Sequence, residues 1–229
     1  MPFGYTHLLA LLISAVGIAI AYGWGWMVRR SGRTCGSACL LAAALLALEV
    51  WKTWQGFTAY EEAWRELLPL HLCRISAYLC AFVLLTRNYR SFEVAYFWGA
   101  GGSLAALLSP DLKFDFPHPM FVGFFLGHTL VLSSVLFIVA AFDFKPRLRS
   151  IGFAALVTVV YMMGVALINL ALDTNYLYVC HKPEGITLYR YLGAWPWYIG
   201  SVWFIGVVLS FILYLPFAWR RRSRAAHSP

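Results

Sequence analysis

Polar and ionisable side chains lie near one end of several apolar stretches of this 229-residue sequence. A thiol and an imidazole can act as nucleophile and general base, and cations or amides can stabilise a developing negative charge. These residue types therefore suit nucleophilic group transfer if the fold brings them together. The residues are Glu49, Lys52, His71, Cys73, Arg74, His128 and Asn169.

Seven long apolar stretches must position these groups. A bilayer core of about 30 Å needs about 20 apolar residues per helix. The composition agrees, with 61% hydrophobic residues, 12% charged residues and a mean hydropathy of +0.69, whereas a soluble domain has about 25% charged residues. We predict an all-α, polytopic seven-transmembrane-helix bundle, forming a single integral membrane domain over residues 1–229. The predicted spans are about 5–28, 35–55, 68–87, 92–108, 120–142, 151–172 and 195–219.

Basic residues mark one side of this bundle. Twelve of the 18 Lys and Arg fall in alternate gaps or in the C-terminal tail. The positive-inside rule then predicts an N-terminus outside and a C-terminus in the cytoplasm. Because the net charge of +8 lies beside the spans, it indicates contact with the bilayer and not with nucleic acid. The twelve residues are Arg29, Arg30, Arg33, Arg87, Arg90, Lys145, Arg147, Arg149, Arg220, Arg221, Arg222 and Arg224.

The polar residues share a depth in the predicted outer half of the bundle. At a rise of 1.5 Å per residue they lie roughly 5–12 Å below the outer helix ends. Charged groups in a span are costly, so they usually face the bundle interior, a cavity or each other. Glu49 and Lys52 are three residues apart and so share one helix face.

Simpler interpretations stay open for each residue. Glu49 and Lys52 are also compatible with mutual neutralisation, and Arg74 with snorkelling to headgroups or pairing with Glu49. A lone Cys in a span is often a small hydrophobic residue, and His128 could make a structural hydrogen bond.

The histidines and cysteines raise the questions of metal binding and disulfide formation. The histidines lie mostly on the predicted outer side, but their spacing matches no strong metal motif, so we predict no metal and no cofactor. A disulfide between Cys73 and Cys180 is conceivable on the oxidising outer side, and the sequence leaves it open.

Several short segments resemble a known family. They are similar to the bacterial YwaF-like integral membrane proteins and, more distantly, to vertebrate transmembrane protein 164, a phospholipid acyltransferase. The resemblance implies a multi-pass protein of the bacterial cytoplasmic (inner) membrane. The segments are 68–74 (LPLHLCR), 127–129 (GHT), 175–178 (NYLY), 182–183 (KP) and 192–198 (LGAWPWY).

The resemblance also implies a chemistry. Cys73 would be the acylated nucleophile and His128, 55 residues later, the general base, acting in acyl transfer or ester hydrolysis on a membrane phospholipid. His71, Arg74, Glu49, Lys52 and Asn169 would support the site or bind lipid. The alternative is a non-catalytic ligand-binding or transport protein that uses the same polar cavity, with or without a bound metal. The oligomeric state, the lipid class and the acceptor stay open.

The topology can be tested with a membrane-impermeant thiol reagent on intact cells. A cysteine introduced after Arg224 should resist the reagent, whereas one introduced in the loop 111–118 should react, because alternate gaps lie on opposite sides. The reverse labelling pattern would overturn the seven-span arrangement with an external N-terminus.

Overall fold

The computed structural model describes residues 4–60, 63–110, 112, 114–182 and 191–225, with side chains up to Trp219. Pro183 of the resemblance segments and the side chains of the tail arginines lie outside the described residues. The described part forms seven α-helices and two short 3₁₀ segments, Trp64–Glu66 and Tyr176–Tyr178, and contains no strand, which confirms the all-α class. The helices are α1 (Tyr5–Ser31), α2 (Thr34–Ala59), α3 (Leu72–Thr86), α4 (Tyr89–Leu108), α5 (Pro119–Ala141), α6 (Leu148–Leu172) and α7 (Trp197–Ala225).

Five of these helices are long and apolar enough to cross a bilayer: α1, α2, α5, α6 and α7. Helix α3 is apolar but has only 15 residues, and α4 lies outside this set although it has 20 residues. The structure therefore agrees with a helical membrane protein. The count of seven spans and the external N-terminus stay predictions.

The third helix begins later than the sequence predicts. Its first residue is Leu72, whereas the predicted span begins at residue 68. Pro69 disfavours helical backbone in the residue before it, and His71 has extended backbone as the N-cap, with φ −67° and ψ 141°. His71 therefore precedes the helix instead of lying within its first turn.

Residues 1–144 form one compact unit with α5 at its centre. Helix α5 packs against α1, α2, α3 and α4. Helix α1 buries a stripe at seven-residue spacing, His7, Ser14, Ala21 and Val28. Its Ser14 Oγ accepts a hydrogen bond of 2.7 Å from Thr129 Oγ1 on α5. One face of α1 is thus fixed against α5, and its other faces carry exposed apolar residues suited to lipid.

Glycines bring the helices of this unit close together. A Cβ at Gly99 of α4 would lie 2.9 Å from Val135 Cγ2 on α5, and a Cβ at Gly123 of α5 would lie 3.0 Å from a ring carbon of Trp51 on α2. These distances are shorter than ordinary van der Waals contact. Small residues at such positions let membrane helices pack closely.

Buried charge also occurs at the other end of this unit. Glu93 on α4 is fully buried and pairs with Arg90 at 3.1 Å. Arg90 therefore supplies the positive charge that a buried carboxylate requires at this end.

Residues 145–229 form the second compact unit, built from α6, the segment Tyr176–Tyr178 and α7. The loop after α6 is held by side-chain hydrogen bonds: Tyr198 donates to the Tyr178 carbonyl, and Trp195 Nε1 donates to Val179 O at 3.1 Å. Residues of two resemblance segments, 175–178 and 192–198, therefore contact each other in this unit. The single domain inferred from the sequence stays a prediction.

The close approach of α1 and α5 gives a stability prediction. A Cβ at Gly25 would lie 2.9 Å from the main-chain oxygen of Phe137, which no side-chain rotation can relieve. Gly25→Ala should therefore lower stability by about 1–3 kcal/mol, measured as thermal unfolding of the purified protein. Gly23→Ala is the matched control in the same helix, because a Cβ there meets nothing within 4 Å. Equal stability of the two variants would contradict the described packing of α1 on α5.

Candidate functional site

Glu49 is the centre of a buried ion network. Its side chain is only 3% exposed and pairs with two cations, Lys52 one turn later on α2 and Arg74 on α3. The Arg74 Nε to Glu49 Oε2 distance is 3.0 Å. Two pairings that the sequence left open, Glu49 with Lys52 and Arg74 with Glu49, are both observed. An ionised carboxylate this deep requires such partners, because an unpaired charge in low dielectric is strongly destabilised.

Arg74 joins three segments through its guanidinium group. Besides Glu49, it donates to the Leu67 carbonyl at 2.8 Å and to Thr53 Oγ1. Thr53 in turn donates to the Glu49 carbonyl at 2.9 Å. The late start of α3 explains the Leu67 contact, since this carbonyl precedes the helix and accepts no helical hydrogen bond. Arg74 therefore fixes the entrance of α3 against α2.

Lys52 extends the network to α5. Its ammonium nitrogen lies 3.4 Å from the position that a Cβ would take at Gly127. A larger residue at 127 would crowd the ammonium group, which explains a glycine next to His128. The Lys52 side chain is 26% exposed, so it is the most accessible member of the network.

Cys73 lies one residue before Arg74, at the start of α3. It is a free thiol and half-buried. Its sulfur packs on α4, 3.7 Å from the position of a Cβ at Gly102. The charges within electrostatic reach of the thiol are those of Lys52 and Glu49. Lys52 is therefore a candidate for the cation that acts on the thiol.

His128 is half-buried on α5. Its Nδ1 lies 2.7 Å from the Phe124 carbonyl. A carbonyl oxygen only accepts, so Nδ1 carries the hydrogen and Nε2 is the basic nitrogen of the neutral ring. The ring also packs on Phe124, with centroids 4.3 Å apart, and lies in electrostatic reach of Lys52 and Glu49. The imidazole thus has a fixed orientation and a defined basic atom.

The structure brings some of these residues into direct contact and others only near one another. Glu49 contacts Lys52 and Arg74 directly, while Cys73 on α3 and His128 on α5 lie within electrostatic range of the Lys52–Glu49 pair. The pairing of Cys73 as nucleophile with His128 as general base stays a prediction. His71 contributes its carbonyl to the start of α3, accepting from Arg74 N at 3.0 Å.

Asn169 belongs to the second unit and has local partners there. Its amide nitrogen donates to the Tyr176 carbonyl, and its oxygen accepts from Thr174 Oγ1 and from Tyr176 N, each at 2.9 Å. These contacts hold the turn after α6. Its expected role in supporting the site or binding lipid stays a prediction.

Two further facts bear on metal and disulfide chemistry. In the part of the chain that the structure describes, no three His, Cys, Asp or Glu residues lie close enough together to hold a metal ion. Cys73 and Cys180 are both free thiols.

Sequence reasoning missed two features of this site. Thr53, which braces Arg74, follows Glu49 by four residues and so lies on the same helix face. Gly123 and Gly127, which admit α2, form a small-xxx-small pattern that could have been recognised as a helix-packing signal.

The network gives a prediction on stability. Glu49→Gln removes the only negative charge between Lys52 and Arg74, and breaking a buried pair costs up to about 3–5 kcal/mol. Asp143→Asn is the control, since Asp143 pairs with Arg29 at 3.0 Å with both side chains more than 40% exposed, and such pairs contribute about 0–1 kcal/mol. Thermal unfolding should separate the two variants clearly. Similar losses would show that the Glu49 network adds no more than an exposed pair.

Comparisons with known proteins identify a relative and a family. A protein of Treponema pallidum (strain Nichols) named "Uncharacterized protein" is 25% identical over 222 residues, which cover 94% of this chain and 89% of its own length. No solved structure matches the chain. The narrower resemblance to YwaF-like proteins stays a prediction. The model of the TMEM164 family matches residues 2–214, nearly the whole sequence, and the chain therefore belongs to the TMEM164 family.

Proposed function

We propose that this membrane protein is a lipid-modifying enzyme that transfers or hydrolyses a phospholipid acyl group through Cys73 and His128. One observation carries the proposal: a thiol from α3 and an imidazole from α5 both lie within electrostatic range of the Lys52–Glu49 pair of α2. The proposal includes the seven-span topology with an external N-terminus and a bacterial cytoplasmic (inner) membrane. The site then lies in the outer half of the bundle.

The charges of the network support a phospholipid as substrate. Two cations, Lys52 and Arg74, surround one carboxylate, so the network carries excess positive charge. In the low dielectric of the bundle this excess attracts an anionic group. A phospholipid brings its phosphate to the headgroup level and its ester bonds just below, which matches the depth of these residues. Such a substrate can enter sideways from the bilayer.

The first half of the reaction forms a thioester. His128 Nε2 takes the Cys73 proton, and the thiolate attacks the ester carbonyl. The carbon–oxygen bond to the lipid backbone breaks, and the imidazolium returns the proton to the departing alkoxide. Lysophospholipid leaves, and the acyl group stays on the Cys73 sulfur. The Lys52 ammonium stabilises the negative charge on the thiolate and on the carbonyl oxygen.

The second half regenerates the enzyme. An acceptor hydroxyl, from a lysolipid for transfer or from water for hydrolysis, gives its proton to His128 and attacks the thioester. The carbon–sulfur bond breaks, and the thiolate recovers the proton from the imidazolium. The hydrogen bond from His128 Nδ1 to Phe124 supports both steps, because it keeps Nε2 as the proton-accepting atom.

The other residues have positioning roles in this proposal. Arg74 holds the start of α3, and with it Cys73, against α2, while Glu49 limits the net charge so that Lys52 can remain in the bundle. His71 and Asn169 are assigned to lipid contact or support. No metal or cofactor is required by the chemistry.

The test is covalent labelling of the purified protein with a phospholipid that carries a fluorescent acyl chain. Acyl-protein should form and should be released by neutral hydroxylamine, which cleaves thioesters. Cys73→Ala should abolish this labelling. Cys80→Ala, the same change two turns later in α3, should retain it, because Cys80 is fully buried against Gly99. Labelling of Cys73→Ala at the parent rate would refute the acyl-enzyme and favour a ligand-binding or transport protein.

His128→Ala gives a further arm of this experiment. Loss of a general base should slow acylation about 10²–10⁴-fold while the protein still folds. A purely structural histidine would instead lower thermal stability and leave labelling per folded molecule unchanged. Thr129→Ala is the neighbouring control: it breaks the hydrogen bond to Ser14 of α1 and should leave the acylation rate unchanged.

A further inference from the structure

Ser103 on α4 has an unusual hydroxyl group. It is 1% exposed, and its Oγ is the one buried side-chain polar atom without a hydrogen-bond partner among the residues that the structure describes. Two other buried serines behave differently: Ser76 and Ser134 donate to the carbonyl four residues earlier, at 2.6 and 2.7 Å. Because a buried hydroxyl without a partner costs about 1–3 kcal/mol, a native structure that retains one calls for a reason.

The face of α4 that carries Ser103 packs on α5. Gly99 and Leu107 lie one turn before and one turn after Ser103 on the same ridge. Gly99 meets Val131 and Val135 of α5, and Leu107 packs with Phe121 and Phe125. The position on α5 midway between these two contacts is residue 128. Ser103 therefore lies against the stretch of α5 that carries His128.

The preceding residue connects Ser103 to the thiol. The Cys73 sulfur lies 3.7 Å from the Cβ position of Gly102. Ser103 is thus placed on α4 between the helix that supplies the thiol and the helix that supplies the imidazole. Its hydroxyl is buried there with a hydrogen to donate and no acceptor.

We propose that Ser103 is a further catalytic residue, whose hydroxyl donates a hydrogen bond to the oxyanion that forms when the Cys73 thiolate adds to the ester carbonyl. The inference rests on the proposed function. As the carbon–sulfur bond forms, the carbonyl carbon–oxygen double bond becomes a single bond and the negative charge moves to the oxygen. The Ser103 hydroxyl donates its hydrogen bond to this oxygen. When the alkoxide leaves, the double bond re-forms and Ser103 keeps its proton throughout.

A donor without a partner suits this task. A hydroxyl already bonded to its own helix, as in Ser134, would have to give up that bond before it could serve the oxyanion. The Ser103 hydroxyl is buried in place and has no such bond to break. Donors fixed in a dry site act strongly on developing charge for this reason.

The experiment compares Ser103→Ala with Ser134→Ala in the fluorescent phospholipid assay. Ser103→Ala should lower the maximal rate of hydroxylamine-sensitive acylation about 10²–10³-fold, with thermal stability equal to or above that of the parent, since no hydrogen bond is lost. Ser134→Ala, a buried serine of α5 that bonds Leu130 O, should acylate at the parent rate per folded molecule. Cys73→Ala is measured in parallel.

The outcomes separate the two proposals. If Cys73→Ala is inactive but Ser103→Ala acylates at the parent rate, the role of Ser103 is wrong and the thioester mechanism stands. If Ser103→Ala is less stable than Ser134→Ala, or does not fold, the hydroxyl is structural and its catalytic role is again overturned. If Cys73→Ala acylates normally and the acyl group maps to Ser103 as a hydroxylamine-resistant ester, both proposals are wrong, because serine is then the nucleophile.

Discussion

The Glu49 carboxylate is the constraint on which the candidate site depends. A single negative charge at 3% exposure in a membrane bundle must be matched, and the match comes from α2 itself through Lys52 and from α3 through Arg74. Satisfying Arg74 then requires the Leu67 carbonyl, and this is available only because α3 starts after Pro69. One buried charge thus determines how two helices meet and where Cys73 lies.

Close packing at glycines brings α5 against α2 and α4 against α5, which the charges alone do not do. Electrostatic attraction holds α2 and α3 together, but α5 reaches Lys52 only because Gly123 and Gly127 leave room for the Trp51 and Lys52 side chains. Gly99 lets α4 approach α5 in the same way. In lipid there is little hydrophobic force between helices, so such small-residue contacts carry much of the association. The arrangement of thiol, imidazole and ammonium group is therefore a consequence of glycine positions as much as of charge.

The sequence predicts the composition of the site better than its geometry. The all-α class, the buried Glu49–Lys52 pair and its link to Arg74 follow from hydropathy, helical spacing and the cost of charge in a span. The predicted start of α3 is wrong because the apolar stretch already begins before Pro69, where the backbone is not helical. The hydrogen bonds of Asn169 depend on the conformation of the turn after α6. Whether the Ser103 hydroxyl has a hydrogen-bond partner depends on which groups the fold places beside it. Neither property has a signal in the residues themselves.

The division of roles between the two cations follows from their side-chain chemistry. Arg74 has a rigid fork of donors, and the structure uses it as a brace with several fixed acceptors. Lys52 is a compact point charge on a flexible stem; it pairs with Glu49 on its own helix, and its ammonium group lies at the edge of α5. In the proposed reaction a cation must respond to charge that appears and disappears on a substrate, and Lys52 can take this role because Arg74 serves as the brace. Exchanging the two cations would preserve the net charge while losing the geometry that places Cys73.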